Sequence, residues 1–199
     1  MILGSSPTEP KEIVQLLEKA ATEDMVREYR RSLDPSYKGD PGKEDKGWKE
    51  VIYGTLETLV RNHGGRAVFT RSEKKEKEFM LDFVGLDEQN GAFGRAILGV
   101  ECEWWKGRKE LLRNFRKLLF FKAPLKVLVY SCLDDCSEKD REVEREEIRG
   151  CIKRFEQHVK GECYLIIEFI KRNGLWKQEA RVWYAEQNGA EPALRMIQL

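Results

Sequence analysis

Two nearly continuous apolar runs in the second half of the chain constrain its fold more than any other feature. They are LKVLVYSC at 125–132 and CYLIIEFI at 163–170. Runs of this kind are typical of strands that are buried on both faces, as in parallel sheets. The segment between them, Asp140 to Lys160, is charged and amphipathic and predicts a helix. Its apolar stripe consists of Ile148, Ile152, Phe155 and Val159. The sequence therefore predicts a parallel strand–helix–strand crossover.

An antiparallel meander is predicted ahead of this crossover. The predicted elements there are a helix at 47–62, strands at 67–70, 79–86 and 96–105, and a helix at 108–122. After the second apolar run, the Asn173-Gly174 turn leads into an alternating strand, Trp176 to Ala185, which we predict at the sheet edge. The expected fold class is α/β, with a mixed sheet (antiparallel meander plus parallel crossover) flanked by helices.

The first 46 residues differ in character from the rest. Thr8 to Ser32 repeats apolar residues at helical spacing, and Asp34 to Lys46 is rich in Pro, Gly and charge. We therefore predict two regions, an N-terminal helix with a mobile loop at 1–46 and an α/β core at 47–199.

Composition narrows the classes of function. Charged residues make up 36% of the chain, yet its net charge is only +1, so a basic surface would have to be local. No segment approaches the roughly 18 apolar residues of a membrane span, and the N-terminus lacks the pattern of a secretory signal. The five cysteines are odd in number and lie in apolar runs, which indicates reduced thiols. We expect a cytoplasmic protein that does not enter a membrane.

Three acidic residues are the candidates for chemistry. In the predicted strand ILGVECEWW, alternation places Glu101 and Glu103 on one face, roughly 6.5 Å apart at the backbone. Gly99, on the same face, would leave space for a ligand. Asp82 interrupts the apolar run FMLDFVGL on the preceding strand, so pairing of the two strands would bring it beside Glu101. Three carboxylates on one patch repel each other, and hard divalent cations such as Mg²⁺ or Mn²⁺ would relieve that repulsion. The alternative interpretation is the solvated face of an amphipathic strand.

This arrangement resembles the PD-(D/E)XK nuclease superfamily, whose members have the restriction-endonuclease-like fold. In that family an acid on one strand is followed on the next strand by an acid-x-lysine pair, then by a helix and a buried strand. The matching runs here are FMLDFVG, ILGVECEWW and RKELLRNFRKLLFFKAPLKVLVY. The resemblance implies metal-dependent cleavage of DNA, with Mg²⁺ or Mn²⁺ held by Asp82, Glu101 and the backbone carbonyl of Cys102.

One departure from the family pattern bears on catalysis. Glu103 occupies the position of the motif lysine, where it would act as a general base or as another ligand. Lys117, on the following helix, would either supply the missing positive charge or be a solvated surface lysine. Glu50 and Glu57, on the helix before the meander, are further candidates for the metal site, each with the same solvated alternative.

Basic residues near the acidic strand suggest the partner. They are Lys106, Arg108, Lys109, Arg113, Arg116 and Lys117, with a second group in the 71–77 loop. Trp104 and Trp105 lie beside the first group, and basic side chains with aromatic neighbours suit contact with nucleic acid, here DNA. The predicted edge strand would allow a homodimer. Two other functions stay open: a catalytically inactive module of the same fold that binds nucleic acid or protein, and a glycosidase that uses a pair of carboxylates.

Overall fold

The computed structural model describes residues 9–33, 41–69, 80–89, 92–104, 107–132, 136–159, 161–173, 175–188 and 191–198. Its helices are α1 (Pro10–Ala20), α2 (Glu23–Leu33), α3 (Pro41–Asn62), α4 (Arg108–Phe120) and α5 (Glu138–Arg154). Its strands are β1 (Gly65–Phe69), β2 (Phe83–Gln89), β3 (Ala92–Glu103), β4 (Leu125–Cys132), β5 (Cys163–Arg172), β6 (Leu175–Asn188) and β7 (Glu191–Gln198).

All seven strands belong to one sheet, and their order in the sheet is their order in the chain. The first three strands form an antiparallel meander. The pairs β3–β4 and β4–β5 are parallel, and the intervening α4 and α5 are the crossover helices. The last three strands are antiparallel again. The predicted α/β class, with a mixed sheet flanked by helices, is confirmed.

The sheet separates two apolar layers, because successive side chains of a strand point to opposite faces. Val100 and Cys102 of β3, and Trp104 directly after this strand, pack in a cluster with α1, α2 and α3. The other face of the neighbouring β4, which carries Leu128 and Tyr130, packs with α4 and α5. Glu101 is level with Leu128 in the parallel register, so its side chain lies on the α4 side. The predicted alternation along β3 is confirmed from Leu98 to Glu103, whereas Ile97, expected on the face of Glu101, packs in the cluster of the opposite face.

The N-terminal region differs from its prediction in two ways. The single helix predicted from Thr8 to Ser32 is two helices, which separate at Ala21 and Thr22. Residues 41–46, predicted as part of a mobile loop, form the first turns of α3, while residues 34–40 of that loop lie outside the described residues. Ile13 and Leu17 of α1 are buried in the same apolar cluster as α3. The division at residue 46 stays a prediction.

Two further expectations need correction. The strand predicted at the edge is β6, which lies between β5 and β7, so β7 is the outer strand and the edge proposed for a homodimer is covered. Helix α5 ends at Arg154, and Val159, assigned to its apolar stripe, is exposed.

Within the described residues, no helix is long and apolar enough to cross a membrane.

Candidate metal centre at the end of β3

The three predicted carboxylates meet where β2 begins and β3 ends. Strand β2 starts at Phe83, one residue after Asp82, and Phe83 pairs with Val100 in the antiparallel register. Asp82 therefore lies just before the start of β2 rather than inside the strand predicted at 79–86, yet it is still level with Glu101. One carboxylate oxygen from each of Asp82, Glu101 and Glu103 lies within 4.8 Å of the others.

The side chain of Asp82 is hydrogen-bonded to the backbone of β3. Its Oδ2 accepts a hydrogen bond of 3.0 Å from the backbone N–H of Cys102. The N–H and C=O of one residue in an extended strand lie along the same edge of that strand. The carbonyl of Cys102, predicted as a metal ligand, therefore faces the side on which Asp82 lies. From α3, the Nζ of Lys49 approaches the Asp82 Oδ2 to 3.7 Å.

Both glutamates are buried. Glu101 is 0% exposed and Glu103 is 4% exposed, whereas the side chain of Asp82 retains 13% of its exposure. Two adjacent acidic side chains on a solvated strand face would be mostly exposed, so that interpretation is wrong. Burying ionised carboxylates is costly unless hydrogen bonds or cations compensate them, and Asp82 is the member of the cluster that is accessible from solvent.

Helix α4 covers the two glutamates with polar side chains. Its apolar residues pack on the sheet, while Asn114 and Lys117, one turn apart, lie on the same inward side. The side-chain amide of Asn114 donates a hydrogen bond to Glu103 Oε1. The Nζ of Lys117 lies 3.3 Å from each carboxylate oxygen of Glu101. Of the two interpretations left open for Lys117, the structure shows the contact with the acidic strand, so this residue is an ion-pair partner of Glu101 rather than a merely solvated lysine.

Burial and neighbouring charges shift the pKa values of two side chains at the site. Burial, and after it the neighbouring charge of Asp82, raises the pKa of Glu101 from 4.5 to about 8, although Lys117 opposes this shift. Burial also raises the pKa of Tyr53 on α3, and the charges of Cys102 and Asp82 act in the same direction. An added positive charge would favour the ionised form of Glu101.

The donor set fits a hard divalent cation. Mg²⁺ and Ca²⁺ bind oxygen at roughly 2.0–2.6 Å, so two oxygens on opposite sides of one ion are about 4 to 5 Å apart. The 4.8 Å limit on the carboxylate separations agrees with that span. Among the described residues, the buried Oδ1 of Asn114 has no hydrogen-bond partner, and it adds a neutral oxygen at the same site.

Other sequence candidates lie outside this centre. The acidic group found among the described residues contains neither Glu50 nor Glu57, and Glu57 pairs with Arg61 at 2.7 Å. The space expected beside Gly99 is filled, because a Cβ there would meet Phe121 at 2.7 Å.

Trp104, predicted as an aromatic neighbour of the basic residues on α4, is not on the surface. Trp104 is 1% exposed and stacks on Trp48 with ring centroids 4.8 Å apart, so it is part of the core and cannot stack on a base. Trp105, Lys106 and the basic loop at 71–77 lie outside the described residues.

Sequence reasoning missed Asn114, Lys49 and Tyr53. Asn114 had a readable signal, because it interrupts the apolar stripe of α4 between Leu111 and Leu118. Lys49 and Tyr53 are four residues apart on α3 and so share a face, but nothing in the sequence shows that this face meets Asp82. No family model, curated protein or solved structure gives a significant match to this chain.

Proposed function

We propose that this protein is a metal-dependent nuclease that hydrolyses phosphodiester bonds of DNA, with Mg²⁺ or Mn²⁺ at the Asp82–Glu101–Glu103 cluster. The observation that carries the proposal is the convergence of three carboxylates within 4.8 Å, two of them buried. Excess buried negative charge destabilises a fold, and a bound divalent cation compensates it.

Each residue has a role that follows from its position. Asp82, Glu101 and the carbonyl of Cys102 would hold the ion. When bound, the ion supplies positive charge that activates water and stabilises the charge developing on the phosphoryl group. Glu103, oriented by Asn114, would accept a proton from the attacking water. Lys117, with 31% of its side chain exposed, would contact the non-bridging oxygens of the substrate.

The order of the elements supports membership of the PD-(D/E)XK superfamily. A helix, a three-stranded meander, a crossover helix and a buried parallel strand succeed each other from α3 to β4. The two acids of the proposed motif lie at the end of the meander, one on each side of the β2–β3 pairing. The third acid replaces the family's lysine, and the ammonium of Lys117 lies 3.3 Å from the carboxylate oxygens of Glu101.

The outer face of α4 would contact the DNA backbone. Lys109, Arg113 and Arg116 are exposed on the helix whose inner side covers the acidic cluster. With Trp104 in the core, the exposed aromatic ring on this helix is Phe120, which is 65% exposed and packs edge-on against Phe155. Basic side chains neutralise phosphates, and an exposed ring beside them can stack on an unpaired base.

Plasmid cleavage with matched carboxylate variants tests the proposal. The wild type is incubated with supercoiled DNA and Mg²⁺, Mn²⁺ or EDTA, beside Glu101→Gln and Glu57→Gln. Both variants remove one carboxylate charge, but only Glu101 belongs to the cluster. Cleavage that requires the metal, that Glu57→Gln retains and that Glu101→Gln loses would support the proposal. Equal cleavage by both variants would refute the assignment of the site.

A catalytically inactive binding module is the second candidate. The observation that favours it is the contact of Glu103 with Asn114 at the position where the family has a lysine. This candidate predicts affinity for DNA that is the same with Mg²⁺ and with EDTA, together with no cleavage by the wild type. Measurement of DNA affinity by fluorescence anisotropy in the two buffers separates the two functions.

A further inference from the structure

The ammonium of Lys117 contacts both carboxylate oxygens of Glu101, which a metal ion at this site would need as ligands. Its Nζ is 3.3 Å from both Oε1 and Oε2 of Glu101, so the ammonium straddles the carboxylate. Glu101 is fully buried, whereas 31% of the Lys117 side chain is exposed, so the lysine enters the cluster from the solvent side. A lysine has a flexible four-carbon stem and can leave such a contact without movement of the helix.

We propose that Lys117 is a built-in counter-cation that competes with the divalent ion for Glu101, so that binding of the metal and binding of a phosphodiester favour each other. This inference rests on the proposed function and specifies how the site is regulated. An ammonium and a divalent cation repel each other at a single carboxylate. The metal therefore binds at the expense of the Lys117–Glu101 contact.

A phosphodiester shifts this competition. Its negative charge attracts the ammonium of Lys117 away from Glu101 and frees the carboxylate for the ion. The adjacent Arg116 is exposed and adds positive charge beside Lys117, which attracts phosphate to this part of α4. Linkage makes the effect reciprocal, because a ligand that releases Lys117 raises the affinity for the ion, and the ion raises the affinity for that ligand.

The test measures binding of Mn²⁺ alone, from the electron paramagnetic resonance signal of the free ion. Lys117→Met and Lys117→Gln remove the competing charge, Lys117→Arg keeps it, and Lys19→Met is the control for loss of one exposed lysine on α1. We expect Lys117→Met and Lys117→Gln to bind Mn²⁺ about fivefold or more tightly than the wild type. Lys117→Arg and Lys19→Met should keep the affinity of the wild type. Circular dichroism establishes that each variant is folded.

The second arm measures reciprocity with a fluorescent DNA duplex, whose affinity is determined in Ca²⁺ and in EDTA. The ratio of the DNA affinity in Ca²⁺ to the DNA affinity in EDTA should be smaller for Lys117→Met than for the wild type. Equal or weaker Mn²⁺ binding by Lys117→Met and Lys117→Gln would overturn the competition while leaving the metal site intact. Failure of the wild type and of every variant to bind Mn²⁺ would instead refute the proposed function, and this inference with it.

Discussion

The buried carboxylate of Glu101 should make the protein without metal less stable as the pH rises. Its pKa is about 8 in the folded protein, against an ordinary value of 4.5. A folded-state pKa above the unfolded value means that the folded protein binds the proton more tightly. The stabilising contribution is therefore complete below about pH 4.5 and is lost as the pH rises towards 8.

Glu101→Gln isolates this contribution, because glutamine has the same shape but stays neutral at every pH. From the two pKa values, we expect the unfolding free energy of Glu101→Gln minus that of the wild type to grow by about 3 kcal/mol between about pH 5 and about pH 8. For a chain of this size, that difference corresponds to roughly 6 to 12 °C in the unfolding temperature. The assay is urea or thermal unfolding in EDTA, followed by tryptophan fluorescence, at a series of pH values.

Addition of Mg²⁺ supplies the complementary test. Because the ion binds the folded state, it stabilises the wild type by about 2.7 kcal/mol when its concentration is one hundred times its Kd, and it should leave Glu101→Gln almost unchanged. A parallel loss of stability by the wild type and Glu101→Gln between about pH 5 and about pH 8 would contradict the raised pKa of Glu101. Glu57→Gln is the control, because Glu57 lies outside the cluster and pairs with Arg61. The stability of this variant should change with pH and with Mg²⁺ as that of the wild type does.

Three other substitutions test the surroundings of the site. Lys126→Met should lower the unfolding free energy by about 3 to 5 kcal/mol in urea, because it leaves the buried Glu162, now 2.9 Å from the Lys126 ammonium, without its cation. Adding Glu162→Gln to that variant should recover much of the loss, and no recovery would contradict the ion-pair explanation. Gly99→Ala should cost about 1 to 3 kcal/mol in thermal unfolding, because the new methyl group meets Phe121; a neutral effect would mean that the ring moves freely. Trp104→Ala should cost about 3 to 5 kcal/mol through a core cavity and should leave the DNA affinity of the folded protein unchanged, whereas selective loss of DNA affinity would contradict its burial.

Local periodicity was sufficient to predict most of the sheet. The run at 125–132 has the same ends as β4, and β5 extends two residues beyond the run at 163–170. Strands that are buried on both faces are apolar at nearly every position, so their ends are clear in the sequence. Period-two alternation likewise placed Glu101 and Glu103 on one face of β3, and the meander brought Asp82 beside them.

Burial of charge could not be read from local pattern. The charged sequence of α5 suggests a solvent-facing helix whose charges pair with each other. In the fold, Arg141 and Arg145 are buried and bind Glu168 of β5 at 2.7 and 2.8 Å. Glu168 lies more than twenty residues from either arginine in sequence, so no periodicity within the helix indicates this contact. Pairing within the helix is also present, because Glu138 contacts both arginines.

The sequence by itself determined the mixed sheet, the crossover helices and the three acidic positions, because these follow from side-chain alternation and from the order of the elements. Only the tertiary structure decided that the glutamates are buried, that Asn114 and Lys117 cover them, and that Trp104 belongs to the core. These facts depend on how α3 and α4 pack across the two faces of the sheet. Burial and the pKa of a carboxylate are properties of everything around it, and most of those surroundings are distant in the chain.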